Sequence, residues 1–279
     1  APVRTMSSFD AEIILQFVTD FTRERLAPIK VFTEVPSTNS YLLSIPPPDS
    51  GGLSVAVTAN QTAGRGRHGK TWQSPSGTGL CLSVAYTFAS QPENLPALTL
   101  AIGIGVADAL RDLNINNVEL KWPNDLVALD GKLGGILTEV RQQSASTVTV
   151  VTGIGINVNL PSKLDFGIEA DWARKVTDLK SICETLPSND QLVGQLINHL
   201  SKTFSDYEAS GFAPLVKRWS ERDWLLGREI TVDTNDSQFF GVGAGVADDG
   251  ALLINTPESG IRRVTSGTIV IAEARGGQT

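Results

Sequence analysis

The chain has 279 residues, a formal net charge of −7, a hydrophobic content of 41% and a charged content of 19%. These values are ordinary for a folded protein and exclude an intrinsically disordered chain. The acidic balance excludes a general binder of nucleic acid or of anionic membranes, because such surfaces are basic. No apolar run reaches the length of a membrane span, the N-terminus lacks the pattern of a secretory signal, and two cysteines are too few for a disulfide framework. We therefore expect a cytoplasmic protein.

The first 226 residues combine helical and strand patterns. Segments with helical spacing are 10–25, 95–112 and 188–209. Shorter β-branched or apolar segments that predict strands are 30–35, 53–59, 80–88, 118–122 and 147–159. Two apolar runs meet at Asp130-Gly131, a dipeptide typical of a type I′ hairpin turn. These patterns predict a sheet combined with helices.

The pattern of the sequence changes after Gly227. Short strands such as REITVD and QFFGVGAGV alternate with turns of the types Asp-Asp-Gly, Pro-Glu-Ser-Gly and Ser-Gly. We therefore expect two domains, residues 1–226 and residues 227–279, of which the second is a small all-β unit.

A glycine-rich basic stretch, GRGRHGKTW at 64–72, interrupts this acidic chain. Its three glycines disfavour helix and strand, and they allow the backbone to approach a ligand closely. Arginine side chains suit the oxygens of carboxylates and phosphates. A solvated basic turn explains this stretch alone equally well, so the rest of the sequence must decide between the two interpretations.

Further stretches combine glycine or a helix cap with polar side chains: STN at 37–39, KWPNDL with DGKLGGIL at 121–137, and GIGIN at 153–157. Lys132 follows the hairpin turn and can present one ammonium group to an anion. Asn124 and Asp125 follow a proline-fixed turn, where an amide and a carboxylate suit a hard cation or a ligand clamp. Two histidines are too few for a His-rich metal site, and no Ser-His-Asp arrangement is indicated. The chain therefore favours positioning and electrostatics on an anionic substrate over a protein nucleophile.

In their order and spacing, STN, QTAGRGRHGKTW, KWPNDL, GKLGGILTE and GIGIN resemble the biotin protein ligases. The resemblance runs from about residue 35 to residue 159 and continues more loosely into the terminal β unit. It implies an α+β fold, in which a mixed β-sheet with helices on one side, similar to the class II synthetases, precedes a small SH3-like β-barrel. Each stretch alone has a simpler explanation, such as a helix cap for STN or close strand packing for GIGIN. Those explanations do not account for all of them in this order.

The resemblance also implies a reaction. In that family ATP and biotin give biotinyl-5′-AMP and pyrophosphate with the help of Mg²⁺. The biotinyl group then passes to one lysine of a biotin carboxyl carrier protein domain, such as that of acetyl-CoA carboxylase. Only about 30 residues precede the first core strand, too few for the winged-helix domain of relatives that repress transcription, so we expect no DNA binding. We expect no membrane partner, and a homodimer through the edge of the central sheet is left open.

The matched positions divide the expected site into two parts. The biotin side comprises Ser37, Thr38, Gln61, Gly64, Arg65, Arg67, Lys132, Gly135, Gly153 and Gly155. The nucleotide side comprises Lys70, Trp72, Asn124, Asp125 and Asn157, with Asp125 as the Mg²⁺ contact and Lys121 as a further basic candidate. Arg67 and Lys132 are the expected catalytic residues. Lys70 stands where some relatives have an arginine, so a point charge replaces a planar fork there.

Two other functions are left open. Lipoate or octanoyl transfer uses a related architecture, although the GRGRxG loop and the GKLGGI hairpin argue against it. A biotin- or adenylate-binding regulator without catalysis belongs to another class, and Lys132 and Arg67 argue for turnover instead.

Overall fold

The protein, as a computed structural model, is described over residues 9–73, 75–142, 147–161, 176–234 and 237–271. Within these residues the larger sheet has seven strands in the order β1-β2-β3-β7-β6-β5-β4. The strands are β1 (Lys30–Phe32), β2 (Leu53–Thr58), β3 (Gly79–Phe88), β4 (Glu119–Lys121), β5 (Asp125–Ala128), β6 (Gly131–Gln142) and β7 (Val148–Asn157). β1 and β2 are parallel, and the other neighbours are antiparallel. The expected mixed sheet is therefore confirmed.

The described helices are α1 (Ala11–Gln16), α2 (Asp20–Arg23), α3 (Thr38–Ser44), α4 (Leu98–Asp112), α5 (Asn189–Ser210) and α6 (Val216–Ser220). The ends of α5 agree with its sequence. The Ser188 hydroxyl accepts a hydrogen bond from the backbone N–H of Gln191, and Gly211 ends the helix with a φ of 64°.

The single helix expected over 10–25 is wrong, because the segment forms the two short helices α1 and α2. Asp10 caps α1 as its sequence predicts. The break is held by α5: Asn198 donates to the Phe17 carbonyl at 2.8 Å and accepts from the Thr19 backbone N–H at 3.0 Å. A long-range side chain thus replaces two hydrogen bonds that a continuous helix would make.

The strand β3 shows how the sheet separates two layers of helices. Leu82 and Val84 belong to the main core with α4 and α5, whereas the alternate residue Ala85 packs with Leu42 of α3 in a second, smaller cluster. The expectation that helices cover one side only is therefore wrong. Ser37 starts α3 by accepting from the Ser40 backbone N–H, and the helix covers the opposite face.

The β5–β6 hairpin forms its turn one residue earlier than expected. Ala128 pairs with Gly131, so the two turn residues are Leu129 and Asp130, with φ values of 51° and 53°. Two positive φ values agree with a type I′ turn, but the expected Asp130-Gly131 dipeptide is not at its centre. The carboxylate of Asp130 accepts from the Trp224 indole at 3.0 Å, a tertiary contact that accompanies this register.

The second sheet has five antiparallel strands in the order β11-β10-β9-β8-β12 among the described residues. They are β8 (Glu229–Asp233), β9 (Gln238–Val246), β10 (Leu252–Thr256), β11 (Gly260–Val264) and β12 (Thr268–Ile271). This is the small β unit that the turn-rich sequence predicts. The boundary at residue 226 stays a prediction, and residues 272–279 of the expected second domain lie outside the described residues.

The two sheets meet at β4. The Trp122 indole donates to the Gly250 carbonyl at 3.0 Å, and Lys121 Nζ donates to the Ile269 carbonyl at 3.3 Å. The second sheet therefore lies against the β4–β5 end of the first. Among the helices described, none has the length and apolarity that crossing a membrane requires.

Candidate active site

A row of small residues crosses the middle of the larger sheet. The register aligns Cys81 of β3 with Gly155 of β7, Gly155 with Gly135 of β6, and Gly135 with Asp125 of β5. The two central positions have no side chains, so the sheet has a shallow depression between a buried thiol and a carboxylate. This depression is the floor of the cavity.

The cavity above this floor has a volume of about 370 Å³, within the range of small-molecule sites. It is lined by all the site residues expected from the sequence except Gly64: Ser37, Thr38, Gln61, Arg65, Arg67, Lys70, Trp72, Asn124, Asp125, Lys132, Gly135, Gly153, Gly155 and Asn157. Lys121 also lines it, together with Gly267, Thr268 and Ile269 of the second sheet. Five separate sequence stretches therefore meet at one site.

Gly64 lies at the base of the basic loop and borders an adjoining groove. A Cβ on Gly64 would lie 2.5 Å from the Trp72 carbonyl oxygen. Gly64 lets the two ends of the loop approach each other, and the Trp72 backbone N–H donates to the Gly64 carbonyl at 3.0 Å. This glycine therefore closes the loop instead of lining the cavity.

The basic loop folds as a short hairpin over the cavity. Arg65 pairs with Thr71, and the Gly66 backbone N–H donates to the Lys70 carbonyl at 2.7 Å. The Arg65 guanidinium makes two hydrogen bonds to Glu139 on β6, at 2.8 and 2.7 Å. Its fork therefore contacts Glu139 in this structure, and the expected contact of Arg65 with a ligand stays a prediction.

The charged end of the cavity gathers several cations around one carboxylate. Lys132 Nζ lies 2.7 Å from Asp125 Oδ1. Burial lowers the pKa of the Arg67 guanidinium, and the negative charge of Asp125 acts in the opposite direction. One carboxylate thus faces both expected catalytic cations, and their combined positive charge is available to an anionic ligand.

Lys121 is the most perturbed cation of this end. Burial, opposed by the charge of Asp125 and assisted by those of Lys132 and Lys70, lowers its pKa to about 7. Its ammonium also lies 5.7 Å from the centre of the Trp224 ring. Desolvation disfavours the charged form of this lysine, whereas a nearby negative charge favours it. A phosphate bound beside Lys121 would therefore raise its pKa and favour the protonated form.

The other end of the cavity is uncharged and closely hydrogen-bonded. Gln61 Oε1 accepts from the Thr38 backbone N–H at 2.8 Å and lies 3.1 Å from its hydroxyl oxygen. The Ser83 hydroxyl lies 2.6 Å from both Thr38 Oγ1 and Asn39 Oδ1. This end can bind an uncharged polar ring, while the opposite end attracts anions.

Comparison with known proteins identifies the family of this chain. Residues 31–157 match the sequence model of the Biotin/lipoate A/B protein ligase family, and residues 225–271 match that of the Biotin protein ligase C terminal domain. The chain is 36% identical over 227 residues to the bifunctional ligase/repressor BirA of Salmonella typhimurium, covering 81% of this chain and 69% of that protein. The chain belongs to the biotin protein ligase family.

Two further relatives extend this comparison. The biotin–[acetyl-CoA-carboxylase] ligase of Paracoccus denitrificans is 29% identical, with 79% of this chain and 91% of that protein covered. The structure of the Aquifex aeolicus biotin protein ligase in complex with biotin and ATP has a TM-score of 0.73 and 26% identity, and covers 89% of this chain and 99% of that one. Apart from Val176, all residues that line the cavity fall within the two segments that match family models.

The indole of Trp72 packs against Gly155 in the floor of the cavity. A Cβ on Gly155 would lie 2.5 Å from Trp72 Cε2, so only glycine accommodates the indole there. Among the described residues the buried indole nitrogen has no nitrogen or oxygen partner, and the group that faces it is the Cys81 thiol. Burial raises the pKa of Cys81 to about 12, with the indole contact acting in the opposite direction, so the thiol stays protonated. Trp72 provides a flat apolar surface rather than a charge.

The two asparagines expected on the nucleotide side also support the local backbone. Asn157 Nδ2 donates to the carbonyls of Lys132 and Thr177, and Asn124 Nδ2 donates to the Ile136 carbonyl at 2.8 Å. Asn157 thereby fixes the start of β6, where Lys132 projects. The side-chain amide nitrogens of both asparagines thus donate to backbone carbonyls of the protein.

Two groups of residues at the site were not assigned to it from the sequence, although the first group lies in the stretches STN and GKLGGILTE. Glu139 and Asn39 hydrogen-bond to each other at 2.8 Å beside the cavity. The sequence does contain an indication for Glu139. It lies four residues after Gly135 on β6, and residues at an even spacing in a strand face the same side of the sheet. The cavity residues 267–269 have no such signal, since their position depends on how the second sheet docks.

Proposed function

We propose that this protein catalyses the ATP-dependent ligation of biotin to a lysine of a biotin carboxyl carrier protein, through biotinyl-5′-AMP. The observation that supports it best is that one cavity joins the uncharged Thr38–Gln61 end to the cations Arg67 and Lys132. The Aquifex aeolicus relative binds biotin and ATP, and the Paracoccus denitrificans relative is named for acetyl-CoA carboxylase.

The charged end suits the first half-reaction. The biotin carboxylate attacks the α-phosphorus of ATP, the bond between the α-phosphorus and the bridging oxygen breaks, and pyrophosphate leaves. Like charges approach each other in this step, and Arg67 and Lys132 offset their repulsion. Because negative charge increases around the α-phosphorus in the transition state, fixed cations there stabilise it more than the ground state.

The second half-reaction needs the intermediate to survive until the carrier arrives. The carrier lysine amine attacks the acyl carbon, an amide bond forms, and AMP leaves. A loop that folds over the mixed anhydride excludes water during this interval. The Gly64–Trp72 hairpin lies over the cavity and is fastened through Arg65 to Glu139, which is consistent with this role.

Mg²⁺ fits this site only together with the phosphates of ATP. Among the described residues no group of three potential metal-binding side chains occurs. Asp125 is the carboxylate of the cavity, and Mg²⁺ is commonly held by one or two carboxylates together with substrate phosphates and water. We propose Asp125 as that contact; the ion would supply further neutralisation of phosphate charge.

A pyrophosphate-release assay with biotin and Mg-ATP tests the proposal. We expect pyrophosphate to appear with biotin, and a carrier domain added afterwards to gain the mass of one biotinyl group on one lysine. No release in the presence of bound biotin would contradict catalysis and favour the non-catalytic regulator.

The family model that matches residues 31–157 also covers lipoate ligases, so the same assay should be run with lipoate and octanoate. The match of residues 225–271 to a C-terminal domain of biotin protein ligases favours biotin. Two sequence expectations have their own tests: a mobility-shift assay for the expected lack of DNA binding, and sedimentation for the homodimer.

A further inference from the structure

The basic loop is a hairpin whose two strands are bonded to each other. The Gly66 backbone N–H donates to the Lys70 carbonyl at 2.7 Å, and the Lys70 backbone N–H donates to the Arg67 carbonyl at 3.1 Å. At the tip, His68 and Gly69 have φ values of 54° and 72°, which agree with a type I′ turn. These internal contacts keep the shape of the hairpin, so its position over the cavity depends on what holds it from outside.

One side chain ties the hairpin to the rest of the protein beyond its base. Both terminal nitrogens of Arg65 donate to Glu139 on β6, at 2.8 and 2.7 Å, and among the described residues these are the side-chain hydrogen bonds that leave the segment 65–71. The base is held by the backbone, where the Ala63 N–H donates to the Pro36 carbonyl at 2.9 Å. With the base held, the contact at Arg65 determines the angle at which the hairpin lies over the cavity.

The form of this contact suits a reversible closure. Each oxygen of the Glu139 carboxylate meets one nitrogen of Arg65, and such a two-point contact fixes orientation as well as distance. The side chains of Arg65 and Glu139 have 41% and 24% of their surface exposed. A partly exposed ion pair contributes modest stability and is screened by salt, so it can hold the hairpin closed and still release it for the exchange of substrates.

Glu139 has a second contact that does not depend on the hairpin. It accepts from Asn39 Nδ2 at 2.8 Å, and the same nitrogen donates to the Leu137 carbonyl at 3.2 Å. Asn39 therefore stays attached to β6 through Leu137 when the charge of Glu139 is removed. The contact that only Glu139 can supply is the one to Arg65.

We propose that Glu139 is a positioning residue: by holding Arg65 it keeps the hairpin closed, and it thereby sets how long biotinyl-5′-AMP stays in the cavity. The inference rests on the proposed function, in which this intermediate forms there. A hairpin without this contact opens more often and releases the intermediate before the carrier arrives. In solution, an exposed lysine amine of any protein attacks its acyl carbon, an amide forms and AMP leaves. Glu139 thus confines the modification to the carrier without touching the substrate.

Three variants separate this role from a general effect on β6. Glu139→Gln removes the charge and keeps an acceptor oxygen for Asn39, and Arg65→Met removes the other partner of the ion pair. Arg141→Met is the matched control. Arg141 lies two residues after Glu139 on the same face of β6, and its guanidinium donates to the carbonyls of Leu43 and Ile45 at 3.1 and 2.8 Å instead of contacting the hairpin.

The dissociation rate of biotinyl-5′-AMP measures the closure directly. The intermediate is formed from labelled biotin and Mg-ATP, an excess of unlabelled biotin is added, and the label that stays with the protein is followed over time. We expect Glu139→Gln and Arg65→Met each to lose the label about fivefold faster than the parent protein. The double variant should be no faster than either single one, because both remove the same contact. Arg141→Met should stay within about twofold of the parent protein.

Two further readouts distinguish positioning from support of the fold. Raising the salt concentration from about 0.05 M to about 0.5 M should speed the loss from the parent protein toward the rate of the variants, and should change the variants less. Serum albumin present during the reaction should gain more biotin with Glu139→Gln than with the parent protein. Thermal melting establishes that each variant is folded.

The proposal is overturned if folded Glu139→Gln and Arg65→Met proteins lose the intermediate at the parent rate, or if the effects of the two substitutions add in the double variant. An equal acceleration in Arg141→Met would also overturn it, since that residue does not contact the hairpin. If the parent protein releases no pyrophosphate with biotin and Mg-ATP, it is the proposed function that fails.

Discussion

At the scale of single residues, Lys132 and Asp125 form the ion pair on which adenylation should depend. Their side chains are partly buried, with 27% and 12% of the side-chain surface exposed, at a distance of 2.7 Å. Asp125 also acts on Arg67, whose pKa it raises against the effect of burial, so two cations share this one carboxylate. Binding of an anionic substrate therefore meets a preformed positive site.

Lys132→Ala should slow adenylate formation by about 10²–10³-fold, the usual effect of removing one preorganised electrostatic contact. Single-turnover measurement of pyrophosphate release gives this rate. Lys202→Ala is a matched control, because Lys202 forms an exposed ion pair with Asp206 on α5, away from the cavity. Equal rates for the two variants would contradict the role of Lys132.

Lys121 predicts a pH dependence of ATP binding. Its pKa of about 7 means that the free protein loses this charge as the pH rises above that value. A phosphate beside it would raise the pKa, so ATP binding takes up a proton. We expect ATP affinity to fall between about pH 7.5 and 9, above the last phosphate titration near pH 6. Calorimetry in buffers of different ionisation enthalpy measures the proton uptake, which Lys121→Met should abolish.

The lowered pKa of Lys121 also makes the free energy of unfolding depend on pH. Between pH 7 and 10.5 the folded state binds fewer protons at Lys121 than the unfolded state does, because burial lowers the folded pKa. The free energy of unfolding should therefore rise with pH in this window, and Lys121→Met should reduce that slope.

At the scale of elements, the glycines of β6 and β7 have different tasks. A Cβ on Gly153 would lie 2.5 Å from Asn39 Oδ1, whereas a Cβ on Gly135 would meet nothing closer than 3.6 Å. Gly153 thus makes room for a side chain of the protein, and Gly135 leaves its space open in the free cavity. The two positions look alike in the sequence, and only their neighbours distinguish them.

Gly153→Ala and Gly135→Ala should therefore separate stability from binding. We expect Gly153→Ala to cost about 1–3 kcal/mol of unfolding free energy, because the Asn39 amide must move. Gly135→Ala should change stability by less than about 0.5 kcal/mol but weaken biotin binding, since the added methyl group enters the cavity. Urea unfolding and biotin calorimetry on both variants measure this. Normal biotin affinity in Gly135→Ala would contradict the assignment of the floor.

At the scale of the whole molecule, the second sheet completes the cavity. Its residues 267–269 line the charged end, and the Ile269 carbonyl accepts from Lys121. The Trp122 indole fastens the two units by donating to the Gly250 carbonyl. Nucleotide binding should therefore depend on how firmly the second unit is held.

Trp122→Phe should lower the free energy of unfolding by about 1–3 kcal/mol, because it leaves a buried carbonyl without its donor. The KM for ATP should rise with it, since Lys121 is adjacent in the chain. Trp224→Phe is the control: its indole donates to Asp130, whose side chain is 57% exposed and can bind water instead. Similar losses in both variants would argue against a special role for the Trp122 contact.

The sequence predicted much of the fold because local chemistry is strong in several elements. The capping residues Asp10, Ser37 and Ser188 each start a helix in the structure as their side chains suggest. The prediction failed where a distant group decides the local backbone, as Asn198 does between α1 and α2.

The sequence by itself indicated the family and most of the expected residues that line the cavity, because cations, glycines and capping residues stand in the order and spacing of the family's motifs. Only the tertiary structure decided which partner each of these residues contacts. It showed that Arg65 is bound by Glu139 and that Asn39 fills the space above Gly153. It also brought the carbonyl of Ile269 to Lys121. The physical reason is that hydrogen-bond and ion-pair partners are chosen by distance in space, and distance is set by the packing of strands and units far apart in the chain.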